Sequence, residues 1–214
     1  MSAGFITVDV ASGPGDRVQI KDMKPTAFDR FAKNYERIHG ESMPPLLESR
    51  QFMEQKLGWV LEFLETHFTA EASADVLDFG CGVGRVLAGL SDHPSVRSLT
   101  GIDESAESIK IAEAQAKSFS KPSGFGRAVA DFSIDRRYEL ILAFNVFHHV
   151  APDQRATLAA LLASRLKLGG YFLLWEHNPW SPAARYLVKS CPFDKGVTLL
   201  KRAEAEGLLA DGGL

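Results

Sequence analysis

In the stretch VLDFGCGVGR, residues 76–85, an acidic residue interrupts an apolar run and three glycines follow at alternate positions. Glycine is costly in a regular strand or helix and is used where the backbone turns with positive φ or approaches another group closely. Gly80, Gly82 and Gly84, preceded by Asp78, therefore mark a tight bend that brings backbone amides up to a bound molecule. Further along, Asp103 ends the apolar run RSLTGID, and Asp131 and Phe132 end GRAVADF. Asn145, His148 and His149 close YELILAFNVFHHV, and Glu176, His177, Asn178, Trp180 and Arg185 follow YFLLW. A histidine's ordinary pKa of about 6.5 suits it to take up a proton near neutral pH. Of two adjacent histidines, one is expected to face a pocket. No Asp-rich ligand set accompanies the pair in the sequence, so a metal site is not expected.

These groups need strands that end at one place. From residue 74 short apolar runs alternate with helical runs: ADVLDFG, RSLTGID, GRAVADF, YELILAFNVFHHV and YFLLWEHN read as strands. GRVLAGLSDH, SAESIKIAEAQAK (with Ser105 as N-cap) and PDQRATLAALLASRLKLGG (with Pro152 at its start and Gly169-Gly170 at its end) read as helices. The alternation predicts an α/β fold, a doubly wound and mostly parallel sheet with helices on both faces. Ligands of such sheets sit beyond the carboxyl ends of the strands. Ahead of this core, residues 25–72 form a helical lead-in. Phe28, Phe31 and Tyr35 share one face of a short helix, and Leu57, Val60, Leu61, Leu64 and Phe68 mark a longer amphipathic one. Residues 1–24 read as a loose tail or a small hairpin. Residues 25–214 read as a single domain, with the ligand-binding core at 75–178 and a substrate-side segment at 179–214.

The 214 residues are 45% hydrophobic and 24% charged, ordinary for a globular domain, and the net charge of −3 disfavours a nucleic-acid partner. Cys81 and Cys191 are too few and too far apart for a disulfide framework, which fits a reducing cytoplasm. There is no 18-residue apolar run and no basic start ahead of a long apolar core, so neither a membrane partner nor a signal peptide is expected.

A dinucleotide fingerprint, G-x-G-x-x-G, would require glycine where Arg85 stands. VLDFGCGVGR, GIDESAESIKIAEAQA, VADF, YELILAFNVFHHV and LKLGGYFLLWEH, in this order, instead resemble the class I S-adenosylmethionine-dependent methyltransferases over residues 76–178. The resemblance implies a Rossmann-like fold with S-adenosyl-L-methionine as cofactor. It would set Gly80, Gly82 and Gly84 along the methionine portion, with Asp78 holding the loop or reaching the amino group through water. Asp103 would bind the ribose hydroxyls, Asp131 would accept from the adenine amine with Phe132 beside the ring, and Asn145 would contact the methionine moiety. Tyr35 would close over the cofactor or pack as ordinary core. His148 or His149 would be the base, and Glu176, His177, Asn178, Trp180 and Arg185 would meet the substrate.

The implied reaction is methyl transfer to oxygen or nitrogen of a small molecule such as a sugar or secondary metabolite. A non-catalytic scaffold or partner subunit and an NAD(P)-dependent oxidoreductase are the alternatives. Family members usually continue with a helix and an antiparallel strand pair, whereas VTLLKRAEAEGLLADGGL supplies the helix and ends at Leu214. The strand pair is therefore expected to be missing or truncated, which would leave an edge that a second copy could cover as a dimer.

Overall fold

A computed structural model of the chain describes residues 27–42, 49–127 and 136–212. Five parallel strands, β1 (Ala74–Phe79), β2 (Val96–Ile102), β3 (Ser123–Gly126), β4 (Tyr138–Phe144) and β5 (Leu166–Trp175), lie in the order β3-β2-β1-β4-β5. Successive strand residues point to opposite faces. Leu77, Ile141, Phe172 and Leu174 therefore pack on one side with α5 (Arg155–Ala163) and α7 (Arg202–Asp211). Val76, Leu140, Leu142, Leu173 and Trp175 pack on the other with α2 (Ser49–His67), α3 (Arg85–Leu90) and α4 (Ala106–Ala116). This is the doubly wound, Rossmann-like arrangement expected from the alternation of elements. Among the described residues no helix is long and apolar enough to cross a membrane.

The chain runs outward from β1 through β2 to β3, then returns to the other side of β1 for β4 and β5. The order thus reverses between β1 and β4, which opens a crevice at their carboxyl ends. As expected, Ser105 caps α4, its hydroxyl accepting from Ser108 N at 3.1 Å.

Local details depart from the sequence pattern. The third strand is described over Ser123–Gly126, where Gly126 opens the expected GRAVADF, and Asp131 and Phe132 lie outside the described residues, as do residues 1–24. The helix expected to run to Gly169-Gly170 stops at Ala163, because β5 begins at Leu166. Gly169 takes a φ of 72°, and a Cβ on Gly170 would lie 2.9 Å from the Lys167 carbonyl oxygen. The glycine pair thus serves an irregularity in the β4–β5 register instead of a helix end. The aromatic lead-in is broken into 3-10 turns at Ala27–Arg30 and Ala32–Asn34, followed by α1 (Tyr35–Ser42). After β5, Ser181 accepts from Ala184 N and starts α6 (Pro182–Ser190).

Candidate functional site

The bend after β1 is built as its glycines demand. Gly80 has φ 78°, and a Cβ there would sit 2.3 Å from Val146 Cγ2, so only glycine lets the β1 and β4 loops touch. Gly82 has φ 53°, and a Cβ there would meet nothing within 4 Å, because it borders a cavity of about 200 Å³. Asp103, just past β2, fastens this loop. Its Oδ2 accepts from Gly82 N and its Oδ1 from Ser105 N, both at 2.8 Å. Burial raises its pKa, and those two backbone bonds oppose the rise.

The cavity wall holds polar groups that the protein leaves unanswered. Asp78 is 3% exposed; burial and the Asp103 charge push its carboxyl up to about 7, against the pull of Lys56. Lys56, on α2, is 5% exposed, and burial lowers its ammonium to about 8 against attraction from Glu176 and Asp78. That ammonium lies 4.7 Å from the Phe52 ring centroid and 5.9 Å from that of Trp175, and among the described residues it has no ion pair within 4.0 Å. Glu104 is pushed up to about 7 by burial and by Asp103, and its Oε1 is buried without a hydrogen-bond partner among the described residues. Asn145, past β4, takes a φ of 59°, and its Oδ1 is likewise buried and unsatisfied. A buried polar atom without a partner costs about 1–3 kcal/mol, so these two orphaned oxygens, beside the buried charged groups of Asp78 and Lys56, mark a place shaped for a polar ligand.

Beyond them lies a compact acid–histidine cluster. Glu176 Oε1 accepts from Val146 N at 2.9 Å and Phe147 N at 2.7 Å, and its Oε2 meets His148 Nδ1 at 2.5 Å. Asp194 Oδ1 lies 3.3 Å from His149 Nε2 and 3.7 Å from His148 Nε2. Burial would lower the His148 pKa, but Asp194 and Glu176 reverse this and raise it to about 9. Arg155 fixes the turn beneath, donating to the Phe147 and Val150 carbonyls and pairing with Glu204 at 2.6 Å. Phe28 packs edge-on against His149, ring centroids 5.0 Å apart, and Phe193 lies 5.9 Å from Phe28, so the lead-in closes this end of the cavity.

A family model described as a methyltransferase domain matches residues 49–211, most of the chain. The chain belongs to the class I S-adenosylmethionine-dependent methyltransferases. It is 28% identical over 132 residues to the mitochondrial ubiquinone biosynthesis O-methyltransferase of Candida albicans, covering 60% of this chain and 40% of that one. It is 24% identical over 124 residues to the ubiquinone biosynthesis O-methyltransferase of Rickettsia bellii, covering 58% and 50%. The chain thus spans half or less of the length of these curated relatives. In fold it resembles magnesium protoporphyrin IX methyltransferase of Synechocystis with bound S-adenosylmethionine. There the TM-score is 0.62 at 20% identity, over 86% of this chain and 83% of that one. It also resembles a cyclopropane synthase of Mycobacterium tuberculosis, with TM-score 0.55 at 17% identity, over 72% and 59%.

The methyltransferase family uses S-adenosylmethionine, a zwitterionic amino acid joined through a sulfonium to an adenosine. The cavity fits such a molecule on its own chemistry: an open backbone cradle at Gly82, opposite buried charges at Asp78 and Lys56, and orphaned acceptors on Glu104 and Asn145. Of the residues anticipated from sequence, Asp78, Gly80, Gly82, Asp103, Asn145, His148, His149 and His177 line the cavity. Gly84 packs behind the loop, where a Cβ would lie 3.1 Å from that of Ala112. Glu176 sits outside the cavity wall and orients the turn after β4. Asn178 accepts from Trp180 N at 2.9 Å, and Trp180 (78% exposed) and Arg185 face solvent, away from the cavity, because Pro179 and the Ser181 cap turn α6 outward. Tyr35 begins α1, its side chain lying outside the described residues, while Phe28 and Ala32 of the same lead-in reach the wall. Lys56, Glu104 and Asp194 were not anticipated. A signal existed for Lys56, which falls among Met53, Leu57 and Val60 on the apolar stripe of its helix, and for Glu104, which directly follows Asp103.

Proposed function

We propose that this chain transfers a methyl group from S-adenosylmethionine to a hydroxyl oxygen of a small molecule. The observation that supports the reading is that His148, His149 and Asp194 share one cavity wall with the orphaned oxygens of Glu104 and Asn145. The O-methyltransferase names of the curated relatives support oxygen as the accepting atom. When bound, the cofactor supplies an activated methyl carbon on its sulfonium. The chain's residues do the rest. Lys56 and Asp78 take the carboxylate and ammonium of the amino-acid end, and Asp103 uses its remaining lone pairs for the ribose hydroxyls. Asn145 offers its orphaned Oδ1 to the same amino-acid end. Asp131 and Phe132 keep their proposed place beside the adenine.

His148 and His149 divide their labour. Both ring nitrogens of His148 face carboxylates, so it holds its proton at neutral pH and fixes the cluster. His149, on the cavity wall and oriented by Asp194, accepts the proton of the acceptor hydroxyl. A positioned base of this kind contributes about 10²–10⁴-fold to rate. Phe28, Phe193 and His177 exclude water around it. The acceptor is a small molecule that fits between His177 and His149, with no basic surface required for a nucleic acid. The test is methyl transfer to a panel of phenols and alcohols by the protein and by His149→Ala. Turnover that falls about 10²–10⁴-fold, with S-adenosylhomocysteine affinity kept, supports the reading. Transfer only to amines, or unchanged turnover in the variant, overturns it.

A further inference from the structure

The chain brings together three ligand-type atoms that lie far apart in sequence. One ring nitrogen of His148, one of His149 and a carboxylate oxygen of Asp194 all lie within 4.8 Å of one another. His148 and Asp194 are buried at 2% and 5% exposure, and all three residues line the cavity. The sequence shows only the histidine pair; Asp194 arrives from the 3-10 turn Pro192–Asp194 after α6.

From this geometry we infer that His148, His149 and Asp194 form a binding site for one divalent first-row transition-metal ion such as zinc. A tetrahedral zinc with nitrogen ligands at about 2.0–2.1 Å and oxygen at about 2.0–2.2 Å holds neighbouring ligand atoms roughly 3.3–3.5 Å apart. The Asp194 oxygen lies 3.3 Å from one imidazole nitrogen and 3.7 Å from the other, close to that spacing, and the two histidines close around an ion from within 4.8 Å of each other. The surroundings are those a ligating histidine needs. Glu176 accepts from His148 Nδ1 and keeps a proton there, so an ion binding at Nε2 displaces only the second proton that the metal-free imidazolium carries beside Asp194. Glu176 is itself held by Val146 N and Phe147 N, so the ring cannot swing away. Asp194 N donates to the Cys191 carbonyl at 3.2 Å, which anchors the turn that carries the carboxylate.

Two imidazoles and one carboxylate suit zinc, cobalt, nickel or iron better than magnesium or calcium, which prefer all-oxygen sites. Three protein ligands leave a fourth position, and all three residues line the cavity from which a ligand would reach it. Under the methyltransferase reading above, the acceptor's hydroxyl oxygen occupies that position. An ion bound in this site would lower the pKa of the coordinated hydroxyl, so that His149 serves as a ligand in the loaded protein and as the base in the metal-free one. Binding of the ion itself does not depend on that reading.

The experiment is a titration of the metal-free protein with Co²⁺, without cofactor, followed by visible absorption and repeated with Zn²⁺ as competitor. The inference expects one equivalent of Co²⁺ to give ligand-field bands of a four-coordinate ion, bleached by Zn²⁺. His149→Ala and Asp194→Asn are expected to abolish the bands, and Glu176→Gln to weaken binding about 10–100-fold. Circular dichroism melting of each metal-free variant separates a lost ligand from a lost fold. If Asp194→Asn unfolds, His149→Ala carries the test. No bands at one equivalent, or bands that survive both ligand substitutions, overturn the site. Bands present with no methyl transfer to any hydroxyl would sink the proposed reaction and leave the metal site standing.

Discussion

Strand β1 carries two aspartates three residues apart, and they have opposite fates. Asp75, near the amino end, is enclosed by partners: Arg97 donates to both of its oxygens at 3.1 and 2.6 Å, Ser98 Oγ donates at 2.6 Å and Lys167 at 3.2 Å. Burial would raise its pKa, but those bonds win and hold the carboxyl well below the usual range. Glu139 joins the same network through Arg97 and Lys167. Asp78, near the carboxyl end, is more deeply buried, faces another carboxylate and is pushed up to about 7. One end of the sheet satisfies its charges internally, and the other holds them ready. Saturated polar networks stabilise a fold, whereas unsaturated ones cost stability and are kept where a ligand completes them.

Removing a group from each end should therefore have opposite consequences. The largest effect is expected at the saturated end. Asp75→Ala strands Arg97 and Lys167 and is expected to cost about 2–4 kcal/mol of unfolding free energy in urea titration, while S-adenosylhomocysteine affinity stays near that of the parent chain. Loss of affinity without loss of stability would break the contrast. Asp78→Asn is expected to do the reverse, raising stability at pH 8 by about 1 kcal/mol, or about 2–4 °C in melting temperature. The same variant should bind S-adenosylhomocysteine about tenfold more weakly in calorimetry. The sign follows because a carboxyl whose folded pKa is raised gives up stability as pH climbs from about 3.8 towards about 7. A smaller effect belongs to His148. Its pKa is raised from 6.5 to about 9, so its contribution is complete below pH 6.5 and is lost between there and about 9. Melting curves across that window should show a decline that His148→Gln flattens; an equal decline in the variant would remove His148 from the account.

The same contrast explains what could be read in the sequence. The strand alternation, the glycine bend and Asp78, Asp103 and Asn145 were legible because period-2 burial and glycine chemistry are local properties. The end of α5 was misplaced, because Gly169-Gly170 serves equally as a helix stop or as a kink in a strand, and only pairing with β4 decides. Lys56 was hidden by its residue type: a lysine on an apolar stripe reads as a solvated neighbour until α2 is laid over Trp175. Asp194 carries no local signal at all, because the loop after α6 brings it to the histidines.

The most direct test titrates S-adenosylhomocysteine and 5′-methylthioadenosine, which lacks the amino-acid end, into the parent chain and Lys56→Met by calorimetry. If the unanswered charges of the cavity hold the amino-acid end of the cofactor, the substitution weakens S-adenosylhomocysteine about tenfold or more and leaves methylthioadenosine nearly unchanged. Equal losses for both ligands, or no loss for either, would contradict that assignment.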